Sequence, residues 1–168
     1  MQKSGITRRI DELGRIVVPK EIRYNLGIRD GEPLEIFVED NGILIKKYSK
    51  IDNIKDITKN YINIISDITG LNIMVSDREK IIVCSDTLKD KESLKLGDNH
   101  KNLIDERISY NSDKKEIMFD MEGFFYMVPI ISSMDSLGLI IIVTANKETE
   151  VIKYAKILER LIINKVDI

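Results

Sequence analysis

Cysteine, histidine and tryptophan are almost absent from this sequence. Its 168 residues include one cysteine, Cys84, one histidine, His100, and no tryptophan. A single cysteine excludes an intrachain disulfide and favours a reducing cytoplasmic compartment. Zinc sites need clusters of cysteine and histidine, so we expect no metal centre. We interpret Cys84 as a small buried hydrophobe and His100 as a solvated loop residue.

Long hydrophobic runs are also missing. No apolar stretch reaches the roughly 18 residues that a membrane span needs, and no apolar run follows the first five residues, so we expect neither a membrane segment nor a signal peptide. The composition is 43% hydrophobic and 32% charged, which is typical of a globular protein with a core. Because aromatics make up only 6%, that core must consist mainly of Ile, Leu, Val and Met.

Enzyme signatures are absent too. The sequence has no glycine-rich phosphate loop and no nucleophile-elbow pattern. A lone serine together with the single histidine does not indicate a catalytic triad. We therefore expect a binding protein that is not an enzyme and that carries no cofactor.

Charge is unevenly divided along the chain. Residues 1–29 contain seven Lys and Arg against three Asp and Glu, a net charge of +4, although the whole chain has a net charge of -2. The remaining 139 residues therefore carry -6. A basic segment on an acidic body favours a polyanionic partner for that segment, although ordinary solvated surface is the alternative.

The first fifty residues show the pattern of short strands and turns. We predict strands at 6–10 and 15–18 around a turn at 11–14, then a helix from Lys20 to Leu26 that Pro19 begins and Gly27 ends. A hairpin follows, with strands at 34–39 and 43–45 around Asp40-Asn41-Gly42. So few apolar residues are marginal for independent folding, and without cysteine or histidine the remaining route is oligomerisation. We predict a dimer.

The basic residues of this segment occupy defined places. Arg8 and Arg9 fall on the first strand, Arg15 opens the second, and Lys20 and Arg23 fall on the helix. Arginine at such positions can contact phosphates and read guanine edges. Asp11 and Glu12 leave open a second interpretation, in which Arg8 and Arg15 form internal ion pairs.

Residues 4–48 closely resemble the N-terminal domain of the AbrB family of bacterial transition-state regulators. That resemblance implies a swapped-hairpin dimer that binds double-stranded DNA in a cytoplasmic, nucleoid-associated role. It implies that Arg8, Arg15 and Arg23 contact DNA, with Arg9 and Lys20 nearby. The family often has an arginine where this chain has Tyr24, and Lys20 can compensate in part. The matching residues are Gly5, Arg8, Asp11, Glu12, Leu13, Gly14, Arg15, Val17, Pro19, Glu21, Arg23, Leu26, Gly27, Leu34, Glu35 and Ile36.

Residues 51–168 form a second domain in this prediction, after the AbrB-type domain at 1–50. Apolar residues at helical spacing predict helices at 54–68, 102–109 and 148–166, with strands between them, which indicates an α+β fold with an antiparallel sheet. The order is similar to the GAF-type domain of sporulation regulators in this family. Its aromatic residues can line a ligand pocket or, more simply, pack as core. They are Tyr110, Phe119, Phe124, Phe125 and Tyr126.

Together these observations predict a regulator of sporulation genes that binds A/T-rich promoter DNA. Its flanking helices predict a second association that makes a homotetramer, and a small molecule can modulate it through the GAF-like domain. The alternative is an antitoxin with the same head, whose tail neutralises a toxin protein. The long, folded tail disfavours that alternative, because antitoxin tails are usually short.

Overall fold

The chain divides into two compact units, Met1–Tyr48 and Ser49–Ile168. The structure, a computed structural model, describes residues 5–167. No helix among these residues is long and apolar enough to cross a membrane.

The N-terminal unit contains one short helix and one hairpin. Helix α1 spans Lys20–Asn25, and strands β1 (Leu34–Glu39) and β2 (Gly42–Lys47) pair antiparallel. Gly27 follows the helix in the left-handed conformation that a side chain would disfavour. The predicted helix, its stop and the hairpin are confirmed.

The two strands predicted before α1 are wrong for the single chain. Residues 6–10 and 15–18 have no strand assignment, and the backbone bond from Asp11 N–H to the Arg15 carbonyl joins them only beside the turn. A strand exists only where a neighbour completes its hydrogen-bond ladder. Ile6, Arg8 and Ile10, which share one face by alternation, are all exposed.

The C-terminal unit begins with two helices and continues with two strands, a 3-10 helix, an α-helix, four strands and a final helix. The 3-10 helix spans Asp86–Lys91. The other elements are α2 (Lys50–Asn53), α3 (Lys55–Thr69), β3 (Asn72–Ser76), β4 (Ile81–Cys84), α4 (Asp98–Glu106), β5 (Tyr110–Asn111), β6 (Glu116–Met118), β7 (Met121–Ser132), β8 (Asp135–Thr144) and α5 (Val151–Val166).

These strands form one antiparallel sheet in the order β4-β3-β8-β7-β5, with β6 paired to β7. One core cluster joins the sheet to α3 and α5 through Ile62 and Leu158. A second cluster joins it to α4 and the 3-10 helix through Ile104 and Leu88. The expected order of helix, strands, helix, strands and helix is confirmed, with element ends shifted by a few residues.

Several single-residue interpretations can be checked here. Cys84 is fully buried, as predicted, and burial raises the pKa of its thiol to about 11. His100 was predicted on a solvated loop, and this is wrong: it lies on α4, half-buried, with its ring 4.8 Å from that of Phe119. The five aromatic residues pack in or against the two core clusters, as the simpler interpretation expected.

Candidate nucleic-acid interface

The turn at 11–15 is built by one aspartate. Gly14 has a φ of +76°, a conformation that few other residues adopt, and its N–H donates to the Asp11 carbonyl at 2.9 Å. The Asp11 Oδ1 atom accepts the N–H groups of Leu13 at 3.0 Å and Arg15 at 2.8 Å. Backbone and side chain of the same residue therefore close the loop.

Asp11 also holds the side chain that follows the turn. Its Oδ2 atom accepts the Arg15 Nε–H at 2.7 Å. The backbone and side-chain hydrogen bonds from Arg15 lower the pKa of the Asp11 carboxyl, so the carboxylate is charged at neutral pH. The Arg15 side chain stays 72% exposed. Of the two interpretations left open by the sequence, an internal ion pair is present for Arg15, and it leaves the arginine facing solvent.

Arg23 is held in a similar way on α1. Its Nη1 atom pairs with Asp30, which lies in the turn after the helix and is itself largely exposed. The Arg23 Nε atom is buried and has no hydrogen-bond partner among residues 5–167. Pro19 starts this helix, because the Arg23 N–H donates to its carbonyl at 3.0 Å and the missing proline N–H costs nothing at a helix start.

The other predicted residues are exposed and less constrained. Arg8 donates to the neighbouring Thr7 carbonyl at 3.2 Å. Neither Arg9 nor Lys20 forms an ion pair with any residue that the structure describes, and both are exposed. Tyr24 is 84% exposed on α1. The structure therefore places Arg8, Arg9 and Arg15 on the two segments that leave one turn, and Lys20, Arg23 and Tyr24 on the next helix.

Two features of this arrangement were not predicted from the sequence. The pairing of Asp30 with Arg23 depends on the fold of the intervening helix end. Asp11 was considered as an ion-pair partner, but its acceptance of two backbone N–H groups was not. An aspartate at the first position of a turn is the signal that could have indicated it, because aspartate favours such hydrogen bonds.

Exposed cations on the described part of the N-terminal unit are suited to a polyanion. Guanidinium groups can donate two parallel hydrogen bonds to a phosphate or to a base edge. The described residues contain no group of three or more His, Cys, Asp and Glu side chains able to hold a metal ion.

Comparison with known families identifies the chain. Residues 53–162 match the family described as stage V sporulation protein T C-terminal, transcription factor. That match covers more than half of the chain. The chain belongs to the stage V sporulation protein T family. Residues 7–53 match a second family model, described as antidote-toxin recognition MazE, bacterial antitoxin.

One relative matches most of this chain, and another matches only about its first fifty residues. Stage V sporulation protein T of Bacillus subtilis (strain 168) is 38% identical over 150 residues, 84% of this chain and 84% of that protein. Transition state regulatory protein AbrB of the same organism is 52% identical over 48 residues, 29% of this chain and 50% of that protein. The resemblance of the first fifty residues to the AbrB family is thereby confirmed.

A solved structure supports the fold of the larger unit. A methyl-accepting chemotaxis protein, residues 122 to 287, superimposes with a TM-score of 0.52 at 12% identity, covering 70% of this chain and 87% of that chain. At that identity it shows the fold alone. The predicted α+β class is confirmed: the head contains a β-hairpin, and the larger unit is an antiparallel sheet between helices.

Proposed function

We propose that the protein is a DNA-binding transcriptional regulator of sporulation genes, which contacts A/T-rich promoter DNA through its N-terminal unit. The observation that carries this proposal is the Arg15 side chain, exposed at a turn and oriented by Asp11. Membership of a transcription-factor family supports it, and a regulatory role needs no catalytic group.

The proposed contacts are the basic residues around the turn and on α1. Arg8, Arg9, Arg15 and Lys20 are exposed, so their charges can reach phosphates without repacking. Tyr24 adds an exposed ring beside Arg23 in sequence. A/T-rich DNA suits such a surface, because its narrow minor groove carries an enhanced negative potential that attracts arginine.

The head acts as a dimer in this proposal. None of the described residues 5–48 is buried, and the unit exposes a large set of apolar side chains. An isolated two-stranded hairpin is marginally stable at best. A second copy of the chain would bury these side chains. They are Ile6, Ile10, Leu13, Ile16, Val17, Tyr24, Leu26, Ile36, Phe37, Val38, Ile43, Ile45 and Tyr48.

The C-terminal units associate separately, which gives a homotetramer. Helices α3 and α5 pack on the same sheet face, yet each keeps apolar residues exposed. On α3, Ile64 and Ile68 are exposed next to Asp67. On α5, Ile157 is exposed among basic residues, namely Lys153, Lys156 and Arg160. The exposed apolar residues of the two helices, with Asp67 facing basic residues, can complement each other between two copies.

A small-molecule ligand for the GAF-like unit stays a prediction. The sheet face toward α4 is filled by side chains such as Phe125 and Met127, both at most 1% exposed. A groove of about 410 Å³ lies elsewhere, between the end of α3 and the start of α5, next to Lys147 and Tyr154. A ligand of the first face would have to displace core side chains.

The test is a titration of DNA with the full-length protein at several salt concentrations. The exposed basic residues of two head copies predict a steep negative slope of log affinity against log salt, about -0.9 for each phosphate contact. Arg23→Ala removes two such contacts per dimer, so its slope should become shallower by about 2, and Arg15→Ala should weaken DNA binding. Lys114→Ala is the matched control, because it removes an exposed charge from the C-terminal unit and should leave the slope unchanged.

The antitoxin function is the second candidate, and the match of residues 7–53 to the MazE model favours it. In that case the arginines would bind an acidic toxin surface. A flat salt slope with no DNA binding by the folded wild-type protein would support this candidate and contradict the regulator.

A further inference from the structure

Asp11 holds the Arg15 guanidinium by one edge. The contact uses Nε, at 2.7 Å from Oδ2. The two terminal nitrogens, with four N–H donors, form the opposite end of the same rigid plane. Because Oδ1 of Asp11 is fixed by two backbone N–H groups at 2.8 and 3.0 Å, the orientation of that plane is tied to the backbone of the turn.

Arg9 and Lys20 provide a contrast within the same unit. They are exposed and pair with no described residue, so their charges can follow a phosphate to many positions. A phosphate tolerates this freedom, whereas a base edge presents two acceptors at fixed positions in one plane. An arginine that is already oriented loses less conformational entropy when it makes such a paired contact.

We propose that Asp11 is a positioning residue, which presents the terminal nitrogens of Arg15 end-on to a base edge and thereby sets sequence discrimination. Arg9 and Lys20 supply affinity without discrimination. This inference rests on the proposed function, since it concerns the same DNA-binding surface.

The two roles of Asp11 give effects of opposite sign. As a negative charge on a DNA-binding surface, Asp11 repels phosphates, so its neutralisation should strengthen binding to every sequence. As a positioning residue, its neutralisation should weaken binding to the preferred sequence relative to others. Glu12 is the matched control: it is the adjacent exposed carboxylate, and it makes no contact with Arg15 in the described part of the chain.

The experiment compares two duplexes of equal length and composition. One is enriched from a random-sequence library by the full-length wild-type protein, and the other is a shuffled version. Asp11→Asn keeps an oxygen that accepts the two backbone N–H groups but loses the charge that holds Arg15. We expect Asp11→Asn and Glu12→Gln to bind the shuffled duplex equally well, and only Asp11→Asn to lose about tenfold in preference for the enriched duplex.

Equal preference in Asp11→Asn and Glu12→Gln would overturn the role of Asp11 while leaving DNA binding intact. Wild-type protein that binds neither duplex would instead overturn the proposed function, so the two failures are distinguishable. If Asp11→Asn alters the circular dichroism spectrum, Arg15→Lys replaces it. Lysine keeps the charge without a planar fork, and its unchanged preference would equally contradict the proposal.

Discussion

Every residue that the structure buries lies in the C-terminal unit, whereas the described part of the N-terminal unit exposes apolar side chains on its turn, its helix and its hairpin. The larger unit fills both faces of its sheet with aliphatic residues. The described part of the smaller unit has hydrogen-bonded turns and ion pairs but no core. Contacts within one chain therefore shape its turns, whereas its stability depends on a partner.

One ion pair from each unit shows two different uses of such a contact. In the larger unit, Lys59 donates to the Cys84 carbonyl at 2.6 Å and pairs with Asp86 at 2.7 Å, so α3 is fixed to the loop after β4. In the smaller unit, Arg15 and Asp11 lie four residues apart and fasten only the turn that carries them. The first kind of pair supports a tertiary contact, and the second supports the orientation of one side chain.

The largest effect should come from separating the two units. We expect a fragment of residues 1–50 to unfold on dilution, because its folding depends on association and mass action governs the folded fraction. A fragment of residues 51–168 should keep its secondary structure over the same concentrations. Circular dichroism melts at several concentrations, with sedimentation for the mass, measure both. A monomeric 1–50 fragment with a cooperative melt would show that the smaller unit folds without association.

A core truncation in the larger unit should have the next largest effect. Leu158 is 0% exposed in the cluster between the sheet and α5, so Leu158→Ala should lower the free energy of unfolding by about 2–5 kcal/mol. Urea unfolding of the dilute protein measures it. Ile157, the preceding residue on the helix, is 45% exposed, and Ile157→Ala should cost at most about 1 kcal/mol. Equal costs would show that α5 is not packed by this face.

Much of the larger unit could be predicted because its signals are local. Apolar residues at helical spacing predict α3, and Gly70, which has a φ of +72°, predicts its end. The apolar run Ile81–Cys84 predicts strand β4 with the observed bounds. The charged residues 85–98 predict no regular element, and the 3-10 helix among them was missed because Leu88 is its sole buried residue and six residues give no period.

The smaller unit shows where sequence reasoning stops. The turn at 11–14 and the hairpin follow from aspartate, asparagine and glycine at turn positions. The strands at 6–10 and 15–18 were predicted from their apolar residues. A segment forms a strand only when a neighbouring strand supplies its hydrogen bonds, and its own sequence does not show whether that neighbour is present. The basic residues were identified from charge and resemblance, whereas the pairing of Arg23 with Asp30 depends on how the chain turns after α1.

The smallest predicted effect is a difference between the two units in how they respond to pH. His100 lies half-buried in the larger unit, and burial lowers its pKa more than the Gly97 backbone raises it. The neutral ring is therefore favoured in the folded state. Its contribution to stability is present above the ordinary histidine pKa of about 6.5 and is lost as the pH falls below it, because the imidazolium must then be accommodated without water.

We accordingly expect the melting temperature of the larger unit to fall between pH 7.5 and pH 5.5, by less than Leu158→Ala lowers it. His100→Phe, which keeps a ring against Phe119, should reduce that fall. The smaller unit contains no histidine among residues 5–48, so DNA binding should change little over the same range, and the low pKa of Asp11 keeps the Arg15 pair charged. Equal pH profiles for wild-type and His100→Phe protein would assign the acid sensitivity to other groups.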